Sequence, residues 1–177
     1  MNRDNFSSNL FLYLITVSIL VVRPITIDVT QRIEMPENEK LWGVTKLRNE
    51  IYILLKARDG VPSRIRGFND RYPFRLQTEI KAEEINGQSD IGSSENENCL
   101  YLSDNDERCI WKIIRETDDK HKIIKWLIID YKPWHLSVSR DDELLMINYS
   151  THSLMIYGSD AELIRSNKRH QDPTSCS

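Results

Sequence analysis

Four histidines, three cysteines and one dense run of carboxylates are the residues of this chain with chemistry to offer. A nucleophilic hydrolase needs a Ser or Cys beside a His base that a carboxylate orients. None of His121, His135, His152 and His170 lies in a recognisable nucleophile motif. His135 follows Trp134 at the start of an apolar run, so it reads as a half-buried strand residue or as a ring lining a central channel. Asp104-Asn105-Asp106-Glu107 is rich in the oxygens a hard cation takes, but it lacks the glycine and the spacing of a calcium loop. An Asx-rich hairpin turn built on Asp104 and Asn105 accounts for it more simply. Cys99, Cys109 and Cys176 have no metal-ligand spacing, and their odd number gives no disulfide framework. No catalytic, cofactor-binding or metal-binding residue is therefore assigned, and no cofactor is expected.

The elements that would position such groups are strands. From Thr26 onward the apolar runs are short and rich in Ile, Val, Leu, Tyr and Trp, with sparse Gly and Pro and no sustained helical period. Strands are expected over 41–47, 50–56, 63–69, 74–80, 99–103, 108–115, 123–129, 134–139, 144–149, 154–158 and 162–166. Polar turns separate them, such as Arg48-Asn49, Asp118-Asp119 and Arg140-Asp141-Asp142. With the Cys99–Ile113 hairpin turning at Asn105-Asp106, Cys109 lies opposite Leu102, which argues against a disulfide to Cys99.

The strands recur in order. Ile51-Tyr52-Ile53 matches Leu100-Tyr101-Leu102, which matches Leu144-Leu145-Met146. The segments beginning at Tyr72, Lys122 and Asp160 recur in the same way. A repeat of roughly 40–50 residues with four strands each is the pattern of propeller blades. Blades are sandwiched between neighbours, so the core is expected at Trp42, Ile51, Leu100, Leu102, Ile110, Trp111, Trp126, Trp134 and Leu136, the four tryptophans at near-equivalent blade positions.

Leu100 to Ile113 resembles the NHL repeat: Ser103-Asp104 ends a strand, Asn105 follows, and Arg108 opens the next β-branched and aromatic strand. The wider stretch from Arg32 to Ser166 is similar to NHL-like propellers of invertebrates. It carries the opening at Trp42-Gly43-Val44, the Lys125-Trp126 strand and Pro133-Trp134-His135-Leu136-Ser137-Val138. The resemblance implies an all-β, partial β-propeller of about three four-stranded antiparallel blades (NHL/WD-like) in an incomplete ring. Closed members of the family carry five or six blades, so the chain reads as a fragment with open blade edges through which it could self-associate.

Three regions are expected: an apolar N-terminal segment over 1–25, the partial propeller over 26–166 and a polar tail over 167–177. Leu10 to Val22 is short for a membrane span and has the length of a signal-peptide core, although no small-residue cleavage site follows it. A buried strand pair and a foreign exon are the other readings. The chain is secreted or membrane-anchored if this run is a signal, and cytoplasmic otherwise. Asn5-Phe6-Ser7 and Asn148-Tyr149-Ser150 are glycosylation sequons in the first case only, with Asn148 at a strand end that would tolerate a glycan.

Net charge is −3 with pI about 5.8, and the basic residues Arg64, Arg66, Arg71, Arg75, Lys120, Lys122 and Lys125 are interleaved with strand positions. That disfavours the RNA binding of tripartite-motif NHL domains. Glu79 to Lys120 holds twelve acidic against five basic residues, and Glu83 to Asn98 within it reads as a solvated loop, or as a loop presented to a partner. The expected function is a non-catalytic, protein-binding propeller scaffold. The alternative implied by the resemblance is a metal-dependent, lactonase-like hydrolase on the same fold.

Overall fold

In the computed structural model, residues 12–13, 32–33, 39–57, 63–71, 73–81, 85, 87–117 and 120–167 are described. Most of the N-terminal apolar run, the sequon at Asn5 and the tail beyond Asn167 lie outside them. A two-residue ladder pairs β1 (Leu12–Tyr13) with β2 (Arg32–Ile33). The other described strands form three four-stranded antiparallel sheets, each made of strands consecutive in sequence. Blade 1 is β3 (Glu39–Leu47), β4 (Glu50–Ala57), β5 (Arg64–Asn69) and β6 (Leu76–Lys81). Blade 2 is β7 (Gln88–Ser94), β8 (Cys99–Asp104), β9 (Cys109–Thr117) and β10 (Lys120–Ile128). Blade 3 is β11 (Pro133–Val138), β12 (Leu144–Asn148), β13 (Leu154–Tyr157) and β14 (Leu163–Asn167).

The repeat read from the sequence is the repeat of the fold. The segments aligned at Ile51, Leu100 and Leu144 are the second strands of the three blades. Those aligned near Tyr72, Lys122 and Asp160 lead into or form the fourth.

Blade 2 shows why the pattern lacks clean alternation. All six residues of β8 are buried. Leu100 and Leu102 point into one cluster with Tyr52, Leu54, Ile65 and Ile80 of blade 1. Cys99 and Tyr101 point the other way, into a second cluster with Leu136, Leu144, Met146 and Tyr157 of blade 3. Successive strand residues face opposite sides, and here both sides are interior. Trp111 joins the first cluster, Ile110 and the partly buried Trp126 the second.

Four expectations need correction. Residues 88–94 are a strand, not part of a solvated loop. Its polar sequence reflects tight quarters: a Cβ on Gly92 would stand 2.5 Å from Leu136 Cδ1. Trp42 is 43% exposed and is not core, because its strand bulges at that residue. The tryptophans are not equivalent: Trp42 and Trp134 lie on first strands, Trp111 on a third and Trp126 on a fourth. The Cys99–Ile113 hairpin turns one position later than expected, so Cys109 pairs with Asp104 and Cys99 with Ile114.

Candidate interaction site on the first strands

The first strands β3, β7 and β11 are where neighbouring blades approach most closely. Each breaks register at the same place, between Leu41 and Gly43, between Gln88 and Asp90, and between Pro133 and Leu136. A bulge re-aims the side chains beside it. It sets Gly43, Asp90 and His135 at the same level of the three blades.

Asp90 ties them together. One carboxylate oxygen accepts the backbone N–H of Leu136 at 3.2 Å and lies 3.3 Å from His135 Nδ1. The other accepts the N–H of Ile91, and a Cβ at Gly43 would stand only 2.8 Å from it. A glycine is therefore required in blade 1 for the carboxylate of blade 2 to fit. Ser103 Oγ donates to the carbonyl of Trp134 at 3.0 Å and closes the seam to blade 3.

In blade 3 the irregular stretch presents two consecutive rings together. Trp134 stacks on His135 with centroids 4.8 Å apart and planes 21° apart, and meets Tyr149 edge-on at 5.0 Å. Trp134 and Leu136, expected in the core, divide here: Leu136 is buried and Trp134 is half-buried at the rim of this group. Ile51 is half-buried on the face of blade 1 away from blade 2. The His135 side chain is 62% exposed and Tyr149 is 49% exposed. Chemically this is a carboxylate beside an aromatic wall. The His–Asp pair could move a proton, but the nearby Ser103 hydroxyl is committed to the Trp134 carbonyl. No group of three or more His, Cys, Asp or Glu with metal-holding geometry is found among the described residues.

The expected hairpin turn is a built turn. Asp104 is fully buried, and one of its oxygens accepts the N–H groups of Asp106 and Glu107, both at 3.0 Å. The other accepts Trp111 Nε1 at 3.1 Å. Asn105 donates its backbone N–H to Gly87. Asn148 holds the equivalent place in blade 3 and caps Ser150 and Thr151 through its carboxamide oxygen. The residue is only 9% exposed, which leaves the strand-end asparagine little room for a glycan.

At the opposite ends of the first strands, the blades are latched through their hairpins. Thr45 and Ser93 hydroxyls pair at 2.8 Å, Arg48 N–H meets Glu95 at 2.6 Å, and Ser94 and Asn96 both donate to Asp142. These bonds hold the Asp142 carboxyl below its ordinary range, Ser94 contributing most. A cleft of about 310 Å³ between blades 1 and 2 is lined by Arg48, Glu50, Asn98, Arg115 and neighbours. Glu50 takes Arg115 at 2.7 Å and the Tyr52 hydroxyl at 2.8 Å, so its charge is spent within the molecule.

Sequence reasoning put Trp134 in the core and read His135 as half-buried or channel-lining, although its side chain is 62% exposed, and it missed Asp90, which lay in the segment read as loop. The repeat itself was the available signal. The first strand of blade 1 immediately precedes Glu50, so its counterpart in blade 2 must immediately precede Cys99.

No family model matches the chain, and no curated protein matches it. Solved structures do. Regucalcin from Agrobacterium tumefaciens, described as a calcium-binding protein, is similar at TM-score 0.53 and 11% identity over 68% of this chain and 42% of its own. A chain of a nidogen/laminin complex is similar at TM-score 0.58 and 10% identity, over 80% of this chain and 55% of that one. A protein from Lactobacillus plantarum is similar at TM-score 0.55 and 15% identity, over 81% and 48%. This chain thus spans about half the length of the structures it matches. Likeness at such identities speaks for the fold alone: an all-β arrangement of three open blades of the propeller kind.

Proposed function

We propose that this propeller arc, of the NHL-like kind, is a non-catalytic interaction module that docks a protein partner on the rim formed by its first strands. The observation that carries this reading is the exposed ring group of Trp134, His135 and Tyr149 beside Asp90. Aromatic residues dominate the energetics of protein interfaces, and these three are fixed by mutual packing. The chain similar to this one in the nidogen/laminin complex lends support, since that protein is found in a protein assembly. Selection of a peptide display library on the full chain tests it, with counter-selection on the His135→Ala/Tyr149→Ala double variant. A consensus retained by the wild type and lost on the variant supports the reading; enrichment that is equal on both, or absent, overturns it.

The hydrolase alternative is favoured by the His135–Asp90 pair at 3.3 Å and by the similarity to regucalcin. It requires a divalent cation to stabilise the fold. A thermal melt with calcium or zinc against chelator that shifts by less than about 1 °C removes it.

A further inference from the structure

We propose that the rim of blade 3 recognises a guanidinium group, so that the partner presents an arginine side chain to Trp134, His135 and Asp90. This rests on the interaction-module reading above and specifies the chemistry of the partner.

The argument begins with the other three tryptophans. Lys56 Nζ lies 4.9 Å from the centre of the Trp42 ring, Lys125 Nζ 5.0 Å from Trp111, and Lys112 Nζ 5.8 Å from Trp126. A cation over an indole is attracted by the ring quadrupole, and this chain supplies one in each of those cases. Trp134 is the exception: among the described residues no cation of the chain lies over its ring. Several carboxylates of the chain are likewise paired with a Lys or Arg, whereas among the described residues Asp90 is not. Glu39 is paired with Arg64 and Arg66, Glu50 with Arg115, and Glu97 with Lys112. Asp90, 18% exposed in its side chain, meets only the His135 ring among titratable partners described.

An aromatic wall and a carboxylate, neither with a Lys or Arg of the described chain beside it, stand side by side at one solvent-facing rim. One ligand group completes both. A guanidinium is planar, so it stacks on a ring face while its N–H fork reaches a carboxylate; an ammonium offers a point charge and no plane. Trp134 itself is engaged by His135 on one face and meets Tyr149 edge-on, so the plane is taken on the outer face of the largely exposed imidazole that Trp134 backs.

The test follows the indole N–H signal of Trp134 in isotope-labelled full-length protein, assigned by its loss in Trp134→Phe. The probes are N-acetyl-arginine amide, N-acetyl-lysine amide and the neutral, planar N-acetyl-citrulline amide. Saturable shifts are expected with the arginine probe at dissociation constants on the order of millimolar, several-fold weaker binding with lysine, and none with citrulline. Asp90→Asn is expected to weaken the arginine probe by about five- to tenfold. Because Asp90 also bridges blades, Tyr149→Ala serves as a second variant on the exposed side, with the far-ultraviolet spectrum of each variant as the control for folding. Equal shifts with arginine and citrulline, or no saturable shift up to about 50 mM, overturn the proposal. Library selection separates the two levels. A consensus that depends on His135 and Tyr149 but carries no arginine sinks this inference and leaves the interaction module standing, whereas no dependent consensus sinks both.

Discussion

Removing the Asp104 carboxylate should cost this fold a large part of its stability, and the structure says how much. Asp104 is fully buried and accepts three hydrogen bonds, two from backbone N–H groups of its own turn and one from the Trp111 indole. A hydrogen bond to a charged group contributes about 1.5–3 kcal/mol net. The two turn donors can reach water once the carboxylate is gone; the indole, on a side chain 8% exposed, cannot. Asp104→Ala is therefore expected to cost about 3–5 kcal/mol, against a total of about 5–15 kcal/mol for a domain of this kind. Asp104→Asn separates the contributions. Its oxygen can still cap the turn, as Asn148 does in blade 3. Its amide nitrogen would then meet the indole N–H, donor against donor, for a cost of about 1–3 kcal/mol. Blade 3 rationalises the exchange, since the position corresponding to Trp111 is Met155 and no indole needs an acceptor there. Urea denaturation followed by tryptophan fluorescence measures both variants, and a cycle with Trp111→Phe isolates the indole bond. A cost below about 1 kcal/mol for Asp104→Ala would refute the reasoning, as would an alanine variant no worse than the asparagine one.

Four other outcomes follow from the packing. Trp111→Ala should cost about 3–5 kcal/mol and Trp42→Ala less than about 1 kcal/mol by the same urea assay, because only the first ring lies between blades. Asn148→Ala should lose about 1–2 kcal/mol with its turn cap, and intact mass of wild type made in a secretory host should show no glycan at Asn148. Cys99 and Cys109 are buried, and burial pushes both thiols up to about 11, so peptide mapping should find them unlabelled by iodoacetamide in the fold and labelled in urea. Asp142 has its pKa lowered in the fold by Ser94 and then Asn96. Its contribution is present above the ordinary carboxylate range and lost as pH falls through the lower folded value. Asp142→Asn should therefore be less stable than wild type near neutrality, with the gap closing in acid-titrated melts as pH falls below the ordinary carboxylate range.

The architecture was legible where side chains carry it. Second and third strands of blades are apolar on both sides, so Leu100–Leu102 and Ile110–Ile113 announce themselves. First strands are legible only when large residues survive there, as Trp42 and Trp134 do. In blade 2 the same strand is Gln-Ser-Asp-Ile-Gly-Ser-Ser, because Leu136 leaves no room beside Gly92 and Asp90 must reach across to the next blade. Composition reads such a segment as loop. The candidate site inherits that blindness: it joins residues 45 positions apart in the chain, Asp90 and His135, and no local motif encodes their meeting. The exposure of Trp42 was equally hidden, since a bulge is a feature of pairing rather than of one strand.

Most bonds between blades connect residues 45 to 48 positions apart, as Leu136 does with Asp90, Asn96 with Asp142, Arg48 with Glu95 and Thr45 with Ser93. Within a blade, every pairing closes on the strand next in sequence. Strands pair with their sequence neighbours, so the loops closed as each blade forms are short. With its strands paired in sequence order, a blade can form as it leaves the ribosome and template the next. The same order also gives the molecule a mechanical grain. Tension along the chain would peel blades singly, each paying out its own strands before its neighbour is strained.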